Sequence, residues 1–328
     1  MRQEYLLRRF YSQDCMQSRS KDSKKVLWLS LIGHIAALVT VTMWGYSFVS
    51  SKVLLDYGLG PVHIYVYRFL IAYAIVACIS HRRLWASNWR EEGMFMLCGL
   101  CAGSLYFIAE NTALEYTLTT NVSLLTSLSP LITAMLVGLV YKTEKLGLGT
   151  WFGSAVAIMG VGCVVFNSSS SMEVRPLGDF LALAAAVSWS FYSLILRSLN
   201  AHYDVWFISR KTFFYGILTA LPFLLFESNS EPFADVIGAP QVYGNLLFLG
   251  LGASTLAYVL WAVAVKKLGA LTANNYMYLQ SIVTLIVSAI VLPTEHITFI
   301  GYVGIVLIIG GLWAGENINR IIAKRKKQ

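Results

Sequence analysis

Long apolar runs, each about the thickness of a bilayer and separated by short gaps, constrain this chain more than any other feature. Ten can be marked, at 27–54, 61–80, 93–115, 118–141, 147–166, 177–198, 204–226, 242–264, 270–292 and 298–319. Each supplies the roughly 20 residues an α-helix needs to cross the hydrocarbon core. In that medium every backbone polar group must be satisfied internally, which leaves helices or closed barrels. Barrel strands alternate apolar and polar residues over segments of about 10 residues, and these runs do not. The expected fold is an all-α polytopic membrane protein with ten transmembrane helices, most of them antiparallel to their chain neighbours. Composition agrees: 13% of the 328 residues are charged and 57% are hydrophobic, against about 25% charged in soluble domains.

Charge gives the orientation. Seven of the 25 Lys and Arg lie in the first 25 residues and five between Arg320 and Lys327. The gaps at 55–60, 116–117, 227–241 and 293–297 have none, and 167–176 has only Arg175. The opposite gaps carry Arg82, Arg83, Arg90, Lys142, Lys145, Lys266 and Lys267, with Arg197 at a span end. By the positive-inside rule both termini are cytoplasmic, in a multi-pass protein of the cell's inner (plasma) membrane. Residues 1–26 and 320–328 are expected to be basic cytoplasmic tails, the first of them loose and, lacking an apolar core, no cleavable signal. The net charge of +8 marks the bilayer as partner, not nucleic acid. Five cysteines are scattered over apolar segments. The Cys98 and Cys101 pair sits inside a helix and reads as packing, not as a redox or metal site.

The two halves resemble each other. Trp44 and Lys52 are eight apart near the end of span 1, as Trp189 and Arg197 are near the end of span 6. Arg68 and Arg210 occupy similar places in spans 2 and 7. An offset of 151 aligns Gly99 with Gly250, Thr143-Glu144 with Thr294-Glu295, Gly153 with Gly304, and Gly160 with Gly311. Five spans per copy is an odd number, so the second copy must be inverted. The expected architecture is two inverted five-helix repeats, 27–166 and 177–319, with a solute site near the midplane where they meet.

Several motifs are similar to those of the EamA family of the drug/metabolite transporter superfamily. They are WGYSFVSSKVLL at residues 44–55, the arginine in span 2, Ala113-Leu114-Glu115-Tyr116-Thr117 ending span 3, and Ser129-Pro130 in span 4. The Glu144 turn before a glycine-rich span 5 completes the pattern, which then recurs. The resemblance covers about residues 27–319. It implies a ten-helix exporter of amino acids, related metabolites or drugs. The second copy departs from it: Ser281-Ile282 replaces the Ser-Pro, and Trp261 stands where the first copy has Glu110.

Candidate site residues come from helical faces. Gly99, Gly103, Tyr106 and Glu110 recur at spacings of four, three and four, on one face of span 3. Ser123, Ser127, Pro130, Ala134 and Gly138 do so on span 4. A carboxylate at membrane depth faces a partner or a watery cavity, so these faces are expected to line a solute pathway. Glu110 is the candidate coupling group, as a proton carrier or as the binder of a substrate amine. The competing reading makes it the permanent ion-pair partner of Arg68. Arg68, Arg210 and Glu316 are expected to serve as scaffold ion pairs, with binding of a substrate carboxylate as the alternative for the two arginines. Trp44 and Ser47 on span 1, Trp189 and Tyr192 on span 6, Trp261 on span 8, and Asn274, Tyr278 and Ser281 on span 9 complete the proposed cavity. Amphipathic rings there suit amphiphilic solutes, although helix packing also explains them. Lys211 reads as an interfacial charge, His34 as a satisfied or interfacial residue, and Pro130 as a kink in span 4.

The pattern implies a secondary transporter exporting small metabolites by alternating access. A flippase for a lipid-linked sugar is the alternative, which predicts a lateral opening to the bilayer. A membrane enzyme is disfavoured, because no histidines group with acids at metal-ligand spacing. No GxxxxGK[ST] loop is present, so no ATP-driven step and no cofactor is expected.

Overall fold

The computed structural model describes residues 2–140, 148–167, 176–227, 230–292 and 298–325. Among them the secondary structure is helical, with no strand. Seven stretches are long and apolar enough to cross a bilayer: Trp28–Asp56, Pro61–Ile79, Trp89–Tyr116, Thr119–Leu139, Pro176–Leu199, Pro240–Leu268 and Thr272–Val291. The chain is thus a multi-pass, all-helical membrane protein. The three other expected spans fall on helices outside these seven. One is α9 (Val205–Leu224), which carries Arg210 and Lys211. The others are α7 (Leu148–Asn167) and α15 (Phe299–Arg325), whose apolar stretches Trp151–Gly160 and Phe299–Gly315 are shorter.

The first helix, α1, runs from Arg2 to Asp56. The basic stretch expected to be loose is therefore the start of this helix. Residues 2–32 contain no glycine or proline to stop it. Helix α2 (Pro61–Ile79) opens on proline at its first position, where a missing N–H costs nothing. Span 3 is α3 (Trp89–Gly99) and α4 (Leu105–Tyr116) joined by a π-helical turn, Leu100–Ser104. The Asn88 side chain caps it, accepting from Glu91 N at 2.9 Å. Span 4 is broken into α5 (Thr119–Thr126) and α6 (Ser129–Val140). Pro130 lacks an N–H and disfavours helix before it, as expected from the sequence. Hydroxyls satisfy carbonyls left free at the break: Ser129 donates to Thr126 O at 2.5 Å, and Ser127 to Leu124 O at 2.6 Å.

The second half repeats these devices. After α8 (Pro176–Leu199), α9 is capped by Asp204. Beyond the short α10 (Phe233–Val236), α11 (Pro240–Leu247) and α12 (Ala257–Leu268) are joined by a π-helical stretch, Phe248–Leu256. Gly269, at φ 83°, ends α12 in the left-handed region. A break at Asn275–Tyr276 separates α13 (Ala270–Asn274) from α14 (Met277–Val291).

Without a hydrophobic drive between helices in lipid, close packing of small residues holds such bundles together. Helix α7 packs chiefly on α15, glycine against glycine. A Cβ on Gly153 would strike Gly311 O, and one on Gly160 would lie 2.8 Å from Gly304 O. Gly160→Leu should therefore destabilise the full chain by about 1–3 kcal/mol, read as a lower thermal unfolding midpoint in detergent. An unchanged midpoint would mean that these helices separate freely. The two ends of the bundle differ in charge. Helix α1 near His34, the 80–88 and 200–204 connections and the first turns of α9 share one end with Lys266 and Lys267. Asp56, Glu115, Asp179, Glu227 and Glu231 gather toward the other.

Candidate functional site

Glu110 is 2% exposed, on α4 in the second half of the third span. It borders a small void with Trp44, Ser47, Phe48, Tyr106, Phe107, Trp189 and Met277. Helices α1, α4, α8 and α14 thus all contribute, from both halves of the chain. The void has room for about one water-sized molecule, so the arrangement is a closed one. The Tyr106 hydroxyl is the hydrogen-bonding neighbour of the Glu110 carboxyl, while Glu110 Oε1 has no partner.

Aromatic rings form the wall. Trp44 meets Trp189 edge-on at 5.0 Å between centroids, and Trp261 at 5.1 Å. Trp189 in turn lies 5.2 Å from Tyr106 and 4.9 Å from Tyr192. The π-helical turns place carbonyls against this wall. Trp44 Nε1 donates to Ala253 O at 2.9 Å, and Tyr258 Oη donates to Ala102 O at 2.6 Å. Both carbonyls belong to π segments, where the α-helical hydrogen-bond register is displaced.

The structure brings together Trp44, Ser47, Tyr106, Glu110 and Trp189 at the void, with Tyr192 and Trp261 packed behind them. The hydroxyl face lies elsewhere. Ser123 donates to Thr284 Oγ1 at 2.9 Å, and Ser281 donates to Ser123 O at 3.0 Å. Thr284 continues to Gly45 O at 2.9 Å, and Thr120 pairs with Ser288 at 3.2 Å. These residues form a seam joining α5 and α14, and Ser127, just past the end of α5, bonds back to Leu124 O. Asn274 ties α13 to α6 and α8 through Thr133 at 3.1 Å and Ser193 at 3.4 Å. Tyr278 is partly buried against the cluster around Leu124, Leu128 and Ile308. The sequence reading did not include Phe48, Phe107 and Met277. Phe48 is four residues from Trp44 and Phe107 three from Glu110, so the same-face rule reaches both. Met277 is three residues from Asn274 and four from Ser281, so the rule reaches it as well.

Arg68 is buried, donates from Nε to Ser254 Oγ at 2.8 Å and lies 4.4 Å over the Phe107 ring. Its nearest polar contact is thus Ser254, not Glu110. Arg210 donates to Ser80 O and Arg83 O, clamping the α2–α3 connection to α9. Glu316 belongs to α15, and its side chain lies outside the described residues, as do the turns at 143–144 and 294–295.

Two polar ties hold the ends of α9, one to α3 and the other, just past its last turn, to α2. At one, Glu92 pairs with Lys211 and accepts from Tyr215 and from Ala86 N. Lys211, expected at the interface, is buried there, because folding brings a carboxylate to it from 119 residues away. At the other, Glu227 caps α2, accepting from Val62 N at 2.8 Å and His63 N at 3.0 Å and pairing with the His63 ring. Asn111 joins this end through Pro61 O at 3.0 Å.

Comparison with known proteins gives this geometry a context. A transporter of Archaeoglobus fulgidus, itself uncharacterized, is 27% identical over 285 residues, covering 84% of this chain and 95% of its own. A probable terminal-alkyne amino-acid exporter of Streptantibioticus cattleyicolor is 26% identical, covering 77% and 83%. A probable amino-acid metabolite efflux pump of Escherichia coli is 22% identical, covering 85% and 93%. A crystal structure covering 89% of this chain and 98% of its own shares the fold, with a TM-score of 0.63 at 19% identity. The profile of the EamA-like transporter family matches residues 31–166 and 176–314, so the chain belongs to the EamA-like transporter family.

Proposed function

We propose that this protein is a secondary transporter that exports small amphiphilic metabolites, amino acids and their relatives among them, by alternating access. The observation that carries this reading is the convergence of Glu110, Ser47, Tyr106, Trp44 and Trp189 on one buried void. A carboxyl, two hydroxyls and two indoles form a site for a solute with an amine and an apolar body. Relatives named as amino-acid exporters point to the same class of solute. In this reading the closed void opens to one side when the Glu92–Lys211 tie parts and to the other when the Glu227 cap of α2 parts.

Ten spans in two inverted repeats would supply the moving parts. Several facts support that plan. The π segments, Leu100–Ser104 and Phe248–Leu256, overlap at the 151-residue offset. Spans 4 and 9 are both broken. The paired tryptophans of the halves, Trp44 and Trp189, touch. Gly153 meets Gly311 while Gly160 meets Gly304, the reciprocal pattern of a two-fold axis. The charge difference between the ends supports cytoplasmic termini in an inner membrane.

A second reading, a flippase for a lipid-linked sugar, draws on one feature. A cleft of about 660 Å³ between α1, the α11 region and α14 is lined by Thr42, Met43, Tyr46, Phe248, Val283 and Val287, among others. It is largely apolar and would take an acyl chain.

Full-length protein in proteoliposomes, offered labelled amino acids, amphiphilic cations and a lipid-linked sugar with and without an imposed pH gradient, separates the readings. Uptake of amino compounds above protein-free vesicles is the expected result. Movement of the lipid-linked sugar alone would favour the flippase.

A further inference from the structure

We propose that Arg68 is the carboxylate-binding group of the solute site, so that the solute is an α-amino acid with a large apolar side chain. This rests on the transport reading above and makes its substrate class specific. Arg68 is fully buried, and only its Nε is hydrogen-bonded; Nη1 and Nη2 have no partner. Its counterpart in the other half, Arg210, spends both terminal nitrogens on the carbonyls of Ser80 and Arg83. One arginine of the matched pair is thus consumed by the scaffold and the other is left with its fork open. A buried guanidinium keeps its charge; Glu110 is its carboxylate neighbour, but no hydrogen bond joins the two, and an open buried fork is costly to maintain. Intramembrane charges of this kind mark ligand pathways.

The neighbourhood is rich in unused donors. Tyr65 Oη, Trp189 Nε1 and Trp261 Nε1 are also buried without partners, and Tyr65 is an electrostatic neighbour of Arg68. At the void the unused acceptor is Glu110 Oε1. A planar fork with two free nitrogens matches a carboxylate bidentately. Phe107, which carries the Arg68 fork on its ring, is three residues from Glu110 on the same face of α4, and Glu110 is the carboxylate in the electrostatic surroundings of Arg68. A guanidinium and a carboxylate on either side of one ring suit the carboxylate and ammonium of one α-amino acid, held from opposite sides. Its side chain would then lie among Trp44, Trp189 and Tyr106. Phe107 also lines the void, so its ring is the partition that must turn aside when the solute enters.

Binding of L-phenylalanine and of phenethylamine, the same body without the carboxylate, to full-length protein in detergent tests this. Wild type should prefer L-phenylalanine. Arg68→Gln should weaken L-phenylalanine by about 10- to 100-fold while leaving phenethylamine nearly unchanged. Arg68→Lys, which keeps the charge but not the fork, should fall between and serves if the glutamine variant does not fold. Equal wild-type affinity for both probes, or an equal loss of both in the variants, would overturn the assignment and leave transport of amines standing. If wild type binds neither probe, this assignment and the amino-compound reading fall together.

Discussion

Lys211→Met is expected to lower the unfolding free energy of the protein by about 3–5 kcal/mol, the loss that follows when one partner of a buried ion pair is removed. The side chains of Lys211 and Glu92 are only 5% and 9% exposed. With Lys211 gone, the Glu92 carboxylate keeps the Tyr215 hydroxyl and Ala86 N as donors but no counter-charge. The contact of the Lys211 ammonium with the Trp85 ring, at 4.8 Å to its centroid, is lost as well. The double variant Glu92→Met, Lys211→Met should recover most of the loss, because an apolar pair of similar volume removes both desolvation costs. Chemical unfolding of the full chain in detergent reads both values. A single variant within about 0.5 kcal/mol of wild type would show that water reaches the pair. The same tie is one of the two proposed end closures, so Lys211→Met should also raise the access of water-borne labels to the void from that end.

Much of the bundle was legible because lipid imposes simple rules. Apolar runs and their charged gaps mark helices; Pro130 marks the break in span 4. The 3.6-residue period put Tyr106 beside Glu110 and Ser47 beside Trp44, where the void lies. What the sequence hid are relations between distant segments. A face of hydroxyls reads the same whether it meets a solute or another hydroxyl face, so Ser123 and Ser281, which bond each other across α5 and α14, looked like cavity lining. Lys211 looked like an interfacial charge, since nothing local says that Glu92, 119 residues away, will meet it in the interior. The π-helical turns have no residue signature beyond nearby glycines, yet they turn the carbonyls of Ala102 and Ala253 toward Tyr258 and Trp44. Arg68 and Arg210 are indistinguishable by position in their repeats, and only the fold separates a satisfied guanidinium from an open one.

Glu110→Gln should abolish pH-gradient-driven accumulation while sparing solute exchange. Glutamine keeps the shape of the side chain and a hydrogen-bonding group for Tyr106, but it cannot bind or release a proton. Among the described residues Glu110 is the carboxyl that borders the void. Asp179 is held by Thr117 at the acidic end, and Glu92 is committed to Lys211. A proton gradient can do work on the solute only if protonation favours one conformation or one occupancy of the site over another. Glu110 meets that condition if the proton and the solute's amine compete for its carboxylate. At about 1.36 kcal/mol per pH unit, a gradient of about two units supports roughly 100-fold accumulation in a one-for-one exchange. In the glutamine variant that ratio should collapse to unity, and counterflow of labelled against unlabelled solute should persist at weaker affinity. Retained accumulation would place the coupling elsewhere and make Glu110 part of the framework. Loss of counterflow together with accumulation would make its carboxylate indispensable for binding itself, so that the amine contact, and not the proton, is the role of Glu110 at the void.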